Sequence, residues 1–201
     1  MGKKSSHIRS LLHMVRERAE KESCNMMEGS FQNYTGGRRA SYISVSGVIT
    51  EIASAIGLGY GGCTQMMTVE DEEGGLTNFL VHGCTCVADQ EKLYEGMSVT
   101  VYYRSDPVAA LVYPPRFAAA AIVPQAEGRM SAVAYFNQVL MASDQSLKLN
   151  LSPATEVVTC NNQFFPGNPG GHVLLVLYSQ ATRSNPPQTT PDKIVVLCNE
   201  R

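Results

Sequence analysis

Apolar positions change their period once along the chain. Near the start, Ile8, Leu11, Leu12, Val15 and Ala19 follow the i, i+3, i+4, i+7 spacing of one helical face, with Arg9, Arg16, Arg18 and Lys21 on the other side. Ser5 or Ser6 can cap this helix by accepting an early backbone N–H. A single short amphipathic helix is marginal in water, so it needs a surface to lie on. The Gly-, Asn- and Ser-rich stretch 24–39 then reads as a linker. From Tyr42 onward the texture is that of strands. Tyr42–Thr50 is rich in β-branched residues, and Gln65–Glu70 and Leu76–His82 flank the acidic turn Asp71-Glu72-Glu73-Gly74-Gly75 as a hairpin. Ser98–Tyr103 alternates, Phe117–Val123 is a strand of small residues, and Ala55–Gly62 reads as a glycine-rich loop or a bulged continuation of the first strand.

The strand pattern recurs. Gly96–Tyr103 is echoed by Gly171–Tyr178 at an offset of 75, Pro114-Pro115 by Pro186-Pro187, and Ala120–Val123 by Asp192–Val195. Upstream, Asn78–Val81 leading to Thr85 matches Lys148–Leu151 leading to Thr155. Five strand-like blocks in the same order, occurring twice, predict an internal duplication of a unit of about 70–80 residues. The expected fold is mainly β: two tandem OB-like five-stranded β-barrels over 41–125 and 126–201, with residues 1–40 as a basic N-terminal arm. The competing architecture is one two-sheet sandwich with 124–128 as its crossover. The closing stretch Asn185–Pro191 resembles tandem OB-fold-like bacterial proteins of uncharacterised function. That resemblance implies a fold and no activity.

Charge sharpens the division. Residues 1–40 carry 8 Lys+Arg and 4 Asp+Glu, whereas residues 41–201 carry 8 and 14, so a basic extension precedes an acidic body. The acidic hairpin turn opposes phosphate binding on the face that OB-type barrels use for single strands, which disfavours nucleic acid. The longest apolar run, Phe117–Val123, is far short of the roughly 20 residues that cross a bilayer, so no membrane association is expected. His and Arg interrupt the apolar stretch near the start, so no cleavable signal peptide is read; cytoplasmic synthesis is expected, and assembly into a coat or surface layer afterwards is compatible with it.

Chemistry is sparse. The sequence holds neither a Gly-x-Ser-x-Gly elbow nor His-Glu-x-x-His, and no catalytic residue is assigned. On a strand, His82, Cys84 and Cys86 would share one face, and Cys63 could complete a Cys₃His set of the kind zinc favours. The bland reading is half-buried strand residues with incidental thiols. Cys24 in the arm and Cys198 near the other terminus are the candidates for disulfides between subunits. These features together predict a non-enzymatic structural protein that associates with itself through Ile8, Leu11, Leu12 and Val15 of the arm into an oligomer or filament. A small-ligand or carbohydrate-binding module is the alternative.

Overall fold

A computed structural model describes residues 41–105 and 113–198. The arm residues Ile8, Leu11, Leu12 and Val15, and Cys24 behind them, lie outside the described residues. Within them the protein is mainly β, with two 3-10 turns.

The first unit is a circuit of strands. β1 (Tyr42–Ser54) pairs antiparallel with both β2 (Gln65–Glu70) and β5 (Ser98–Arg104). β2 pairs with β3 (Leu76–Val81), β5 with β6 (Arg116–Pro124), and β3 runs parallel to the start of β6. Following the pairings from β1 through β2, β3, β6 and β5 returns to β1. The two-residue β4 (Cys86–Val87) lies parallel to the far end of β6. Strand β1 is long because its first half serves β5 and its second half serves β2. At the changeover sits Gly47, where a Cβ would stand 2.1 Å from the Glu70 carbonyl oxygen. Only glycine admits that approach. The glycine-rich segment after β1 contains a 3-10 turn over Ile56–Leu58, closed by Gly59 in the left-handed region.

The second unit repeats most of these relations. β7 (Met130–Phe136) pairs with β10 (His172–Tyr178), β10 with β12 (Lys193–Leu197), and β9 (Glu156–Thr159) lies parallel to β12 as β4 does to β6. β8 (Lys148–Leu149) runs parallel to β11 (Gln188–Thr189) as β3 does to the start of β6. Val101 faces Ile122 and Val176 faces Ile194, at matching positions of the repeated blocks. Individual hydrogen bonds recur too: Asn78 N–H donates to Pro115 O and Lys148 N–H to Pro187 O, both at 2.9 Å. Gly96 N–H donates to Ile49 O and Gly171 N–H to Phe136 O, with both glycines at φ near +90°. A cis peptide bond precedes Pro114 and Pro186.

The repeat is incomplete in one place. The hairpin read in the first block has no counterpart, because β2 shrinks to isolated bridges at Met141 and Ala142. With no strand crossing there, Ala134 occupies the position equivalent to Gly47. The extended reading of Lys148–Leu151 likewise shortens to two residues.

Three apolar clusters follow from strand alternation. Val99, Val101 and Tyr103 of β5 point into the first core with Phe79 and Ile122. Leu174 and Val176 of β10 point into the second with Phe136 and Ile194. The opposite faces of the same strands meet in a third cluster, a seam joining Tyr102, Ala121 and Val123 to Val173, Leu175 and Val195. Burial on both faces explains why Phe117–Val123 and Val173–Leu177 are continuous apolar runs rather than alternating ones.

Candidate functional site

The His82–Cys86 constellation is a turn. β3 ends at Val81, and Thr85 organises the bend beyond it. Its hydroxyl accepts the His82 N–H at 3.0 Å and donates to Ala119 O at 2.9 Å. The equivalent Thr155 accepts the Ser152 N–H at 3.2 Å and donates to Pro191 O at 2.9 Å. This removes the strand on which a common face for His82, Cys84 and Cys86 depended. Cys86 turns into the seam at 2% exposure, Cys84 is half-buried, and Cys63 is exposed on the loop before β2. Among the described residues, no three His, Cys, Asp or Glu side chains converge closely enough to hold a metal ion. The reason is local: a hydrogen-bonded turn disperses side chains that a strand would have aligned. His82 instead bonds the Thr64 hydroxyl through Nδ1 at 3.0 Å and lies edge-on to Tyr60. Burial lowers its pKa, since the charged ring would lose water.

The cysteines form no disulfide among the described residues. Cys198 is exposed, and the pairing expected for it with Cys24 lies outside the described residues. Two thiols that sequence reasoning did not connect share the seam: Cys86 on β4 is buried in its cluster, and Cys160, just past β9, packs against that cluster. Cys160 also reaches Val196 O at 3.9 Å. The neighbouring Cys86 lowers the pKa of Cys160, while Cys160 and burial raise that of Cys86.

Polar contacts rim the seam. Tyr102 Oη and Ser131 Oγ lie 2.8 Å apart, while Asp89 of the first unit pairs with Arg129 at 3.1 Å and Lys193 at 3.2 Å from the second. A separate open groove of about 760 Å³ lies on the second unit beside the segment that replaces β2. Val139, Leu151 and Phe164 are exposed along it, with Gln138, Asn150 and Asn168 between them, and Lys148 is its one charged lining residue.

Charge divides between the units more sharply than between arm and body. Residues 41–125 hold 9 Asp+Glu and 3 Lys+Arg, whereas residues 126–201 hold 5 of each. The whole negative excess belongs to the first unit. Its exposed acidic residues fall in two groups: Glu70, Glu72 and Glu73 at the β2–β3 turn with Glu51 on β1, and Asp89, Glu91 and Glu95 between β4 and β5. Asp71 shapes that turn by accepting the Glu73 and Gly75 N–H groups at 3.0 and 2.8 Å. The ion pairs formed among the described residues involve Asp89 and Glu156, not this acidic flank.

Comparison with protein-family models and with curated proteins finds no match. Function therefore rests on geometry and charge alone.

Proposed function

We propose that the protein is a non-enzymatic assembly protein of two OB-like units of duplicated origin, joined to its neighbours by the basic N-terminal segment. Two sets of facts support the architectural part. The five-strand circuit has the order of an OB-type Greek-key barrel. The matched registers, threonine turns and backbone hydrogen bonds support descent of both units from one ancestor.

The observation that carries the functional part is the charge partition. A segment with 8 cations against 4 anions precedes a unit with 9 anions against 3 cations, followed by a neutral unit. The acidic flank at Glu70, Glu72 and Glu73 is thus the complementary surface for the arm. Docking on the next copy gives a head-to-tail contact, which propagates into rings or filaments. Docking on its own copy gives a monomer. Sedimentation velocity on the full chain at 0.05 M and at 1 M salt separates these, because the Debye length falls to about 3 Å at about 1 M. Species larger than a monomer at low salt that dissociate at high salt support the proposal. A monomer under both conditions defeats it.

The exposed groove favours a second reading, a module for a neutral polar ligand, since Phe164 offers a stacking face among three amide side chains. Chemical-shift mapping with neutral oligosaccharides tests it. Shifts confined to the groove and lost in Phe164→Ala would favour this reading, and an unperturbed spectrum would remove it.

A further inference from the structure

The two units finish one end of their cores differently. In the first, Ile52, Val81, Val87 and Leu93 are partly buried against the core that holds Ile49 and Phe79. Counted from the matched backbone hydrogen bonds and strand registers, the same positions in the second unit are Val139, Leu151, Val157 and Asn168. Leu93 stands three residues before Gly96 and Asn168 three before Gly171, the two glycines with φ near +90°. A leucine there covers the end of the first core. Asn168 is polar, and its Oδ1 turns back to accept the Gly170 N–H at 2.9 Å. Exposure records the consequence: Val139 is 69% and Leu151 44% accessible, with Phe164 at 78%. These three line the open groove of about 760 Å³ together with Phe165, which packs on the second core.

We propose that this groove seats the apolar face of the chain's own N-terminal segment, with Leu11 and Leu12 covering the second core as Leu93 covers the first. Residues 1–40 lie outside the described residues, and their apolar stripe of Ile8, Leu11, Leu12 and Val15 needs a surface to lie on. The connection permits it. Tyr42, where β1 begins, packs against the seam at which the two units meet. The 20 residues between Lys21 and Tyr42 reach up to roughly 70 Å when extended. A body of this length has a radius of gyration of only about 15 Å. Charge sets the orientation. Lys148 is the one charged residue lining the groove, so the groove rejects Arg9, Arg16, Arg18 and Lys21 and accepts the apolar face of the same predicted helix. A helix seated in this way turns its cationic face outward. The seat deepens the assembly reading and rests on it for what that outward face meets, the acidic flank of the next copy. One helix then joins the second unit of one copy to the first unit of the next, each through a different face.

The test uses the full chain in 1 M salt, where contacts between exposed charges are screened and apolar ones are not. The Val139 and Leu151 methyl groups should be protected from a soluble paramagnetic reagent, at every protein concentration, because the segment is tethered. Leu11→Asp combined with Leu12→Asp should abolish that protection while the signals of the first unit stay in place. A second variant on the other side of the contact, Val139→Asp at an exposed position, should move the Leu11 and Leu12 methyl signals to those of an unstructured chain. Groove methyl groups equally accessible with and without the two leucines would overturn the seat, whether or not the chain assembles at low salt. Protection in 1 M salt together with a monomer in 0.05 M salt would uphold the seat and defeat the assembly reading instead. A neutral oligosaccharide that shifts the groove signals without displacing Leu11 and Leu12 would show another occupant and overturn the seat as well.

Discussion

The first unit and the second differ by one strand, and most other differences between them follow from it. In the first, β2 crosses β1, which forces Gly47 and extends β1 to Ser54. In the second, two bridges at Met141 and Ala142 replace β2, so β7 stops at Phe136 and Ala134 fits where glycine was required. The missing hairpin also removes the acidic turn, which leaves the second unit neutral. The exposed groove lies beside the segment where a second strand would otherwise run. The first unit thus carries a charged flank where the second has an open groove whose lining holds one charged residue, Lys148.

Core truncations are the strongest probe of that comparison. Phe79 and Phe136 are each fully buried, one in each core. Replacing either by Ala should cost about 3–5 kcal/mol in chemical denaturation. Amide exchange should accelerate most in the unit that carries the substitution. Equal acceleration throughout would show that the seam fuses both cores into one cooperative block.

Next in size is the strand crossing. Gly47→Ala should destabilise by roughly 3 kcal/mol, since the new methyl collides with backbone rather than with a side chain that can move. Ala134→Gly should cost only about 0.5–1 kcal/mol, the result of added backbone freedom. Similar losses at both positions would break the account of why the two residues differ.

The threonine turns should behave alike. Thr85→Val and Thr155→Val each remove the two hydrogen bonds made by equivalent atoms, and Thr155→Val also the 3.3 Å bond with Ser152 Oγ, at a cost of about 1–2 kcal/mol measured by thermal melting. A large disparity would mean that one turn is only superficially similar.

The smallest effect is set by pH. Burial lowers the folded-state pKa of His82, so between that value and the unfolded value near ~6.5 the unfolded chain binds more protons. The contribution is fully present above about pH 6.5 and is lost as the pH falls through the folded-state pKa. The equivalent residue is Ser152, which does not titrate. Acidification should therefore loosen the end of the first unit near Thr64 and Tyr60, and His82→Ser should blunt the response. An unchanged pH profile in that variant would assign the response elsewhere.

Strand periodicity made much of this legible. β5 and β10 were readable as a matched pair because both bury alternate residues in a core, and the terminal strands matched because Ile122 and Ile194 fill the same position. The β2–β3 hairpin was readable from its acidic glycine turn. Three things were not. The seam was hidden because burial on both faces erases alternation, and this also concealed that Cys86 and Cys160 belong to one cluster. β9 is four residues long and takes its conformation from parallel pairing with β12, a non-local cause. The His82–Cys86 segment looked like a strand because its side chains alternate in type, yet Thr85 bonds back to His82 and bends it. Local pattern cannot show a hydrogen bond to Ala119, 34 residues away.

The most direct test of assembly through opposite charge is a swap in the full chain, followed by sedimentation velocity at low salt. Glu70, Glu72 and Glu73 changed to Lys should dissociate the assembly, and Arg9, Arg16 and Arg18 changed to Glu should do the same. Both sets combined should restore it. Assembly that survives either single set, or a combined variant that stays monomeric while folded, would contradict a contact made between the arm and the acidic flank.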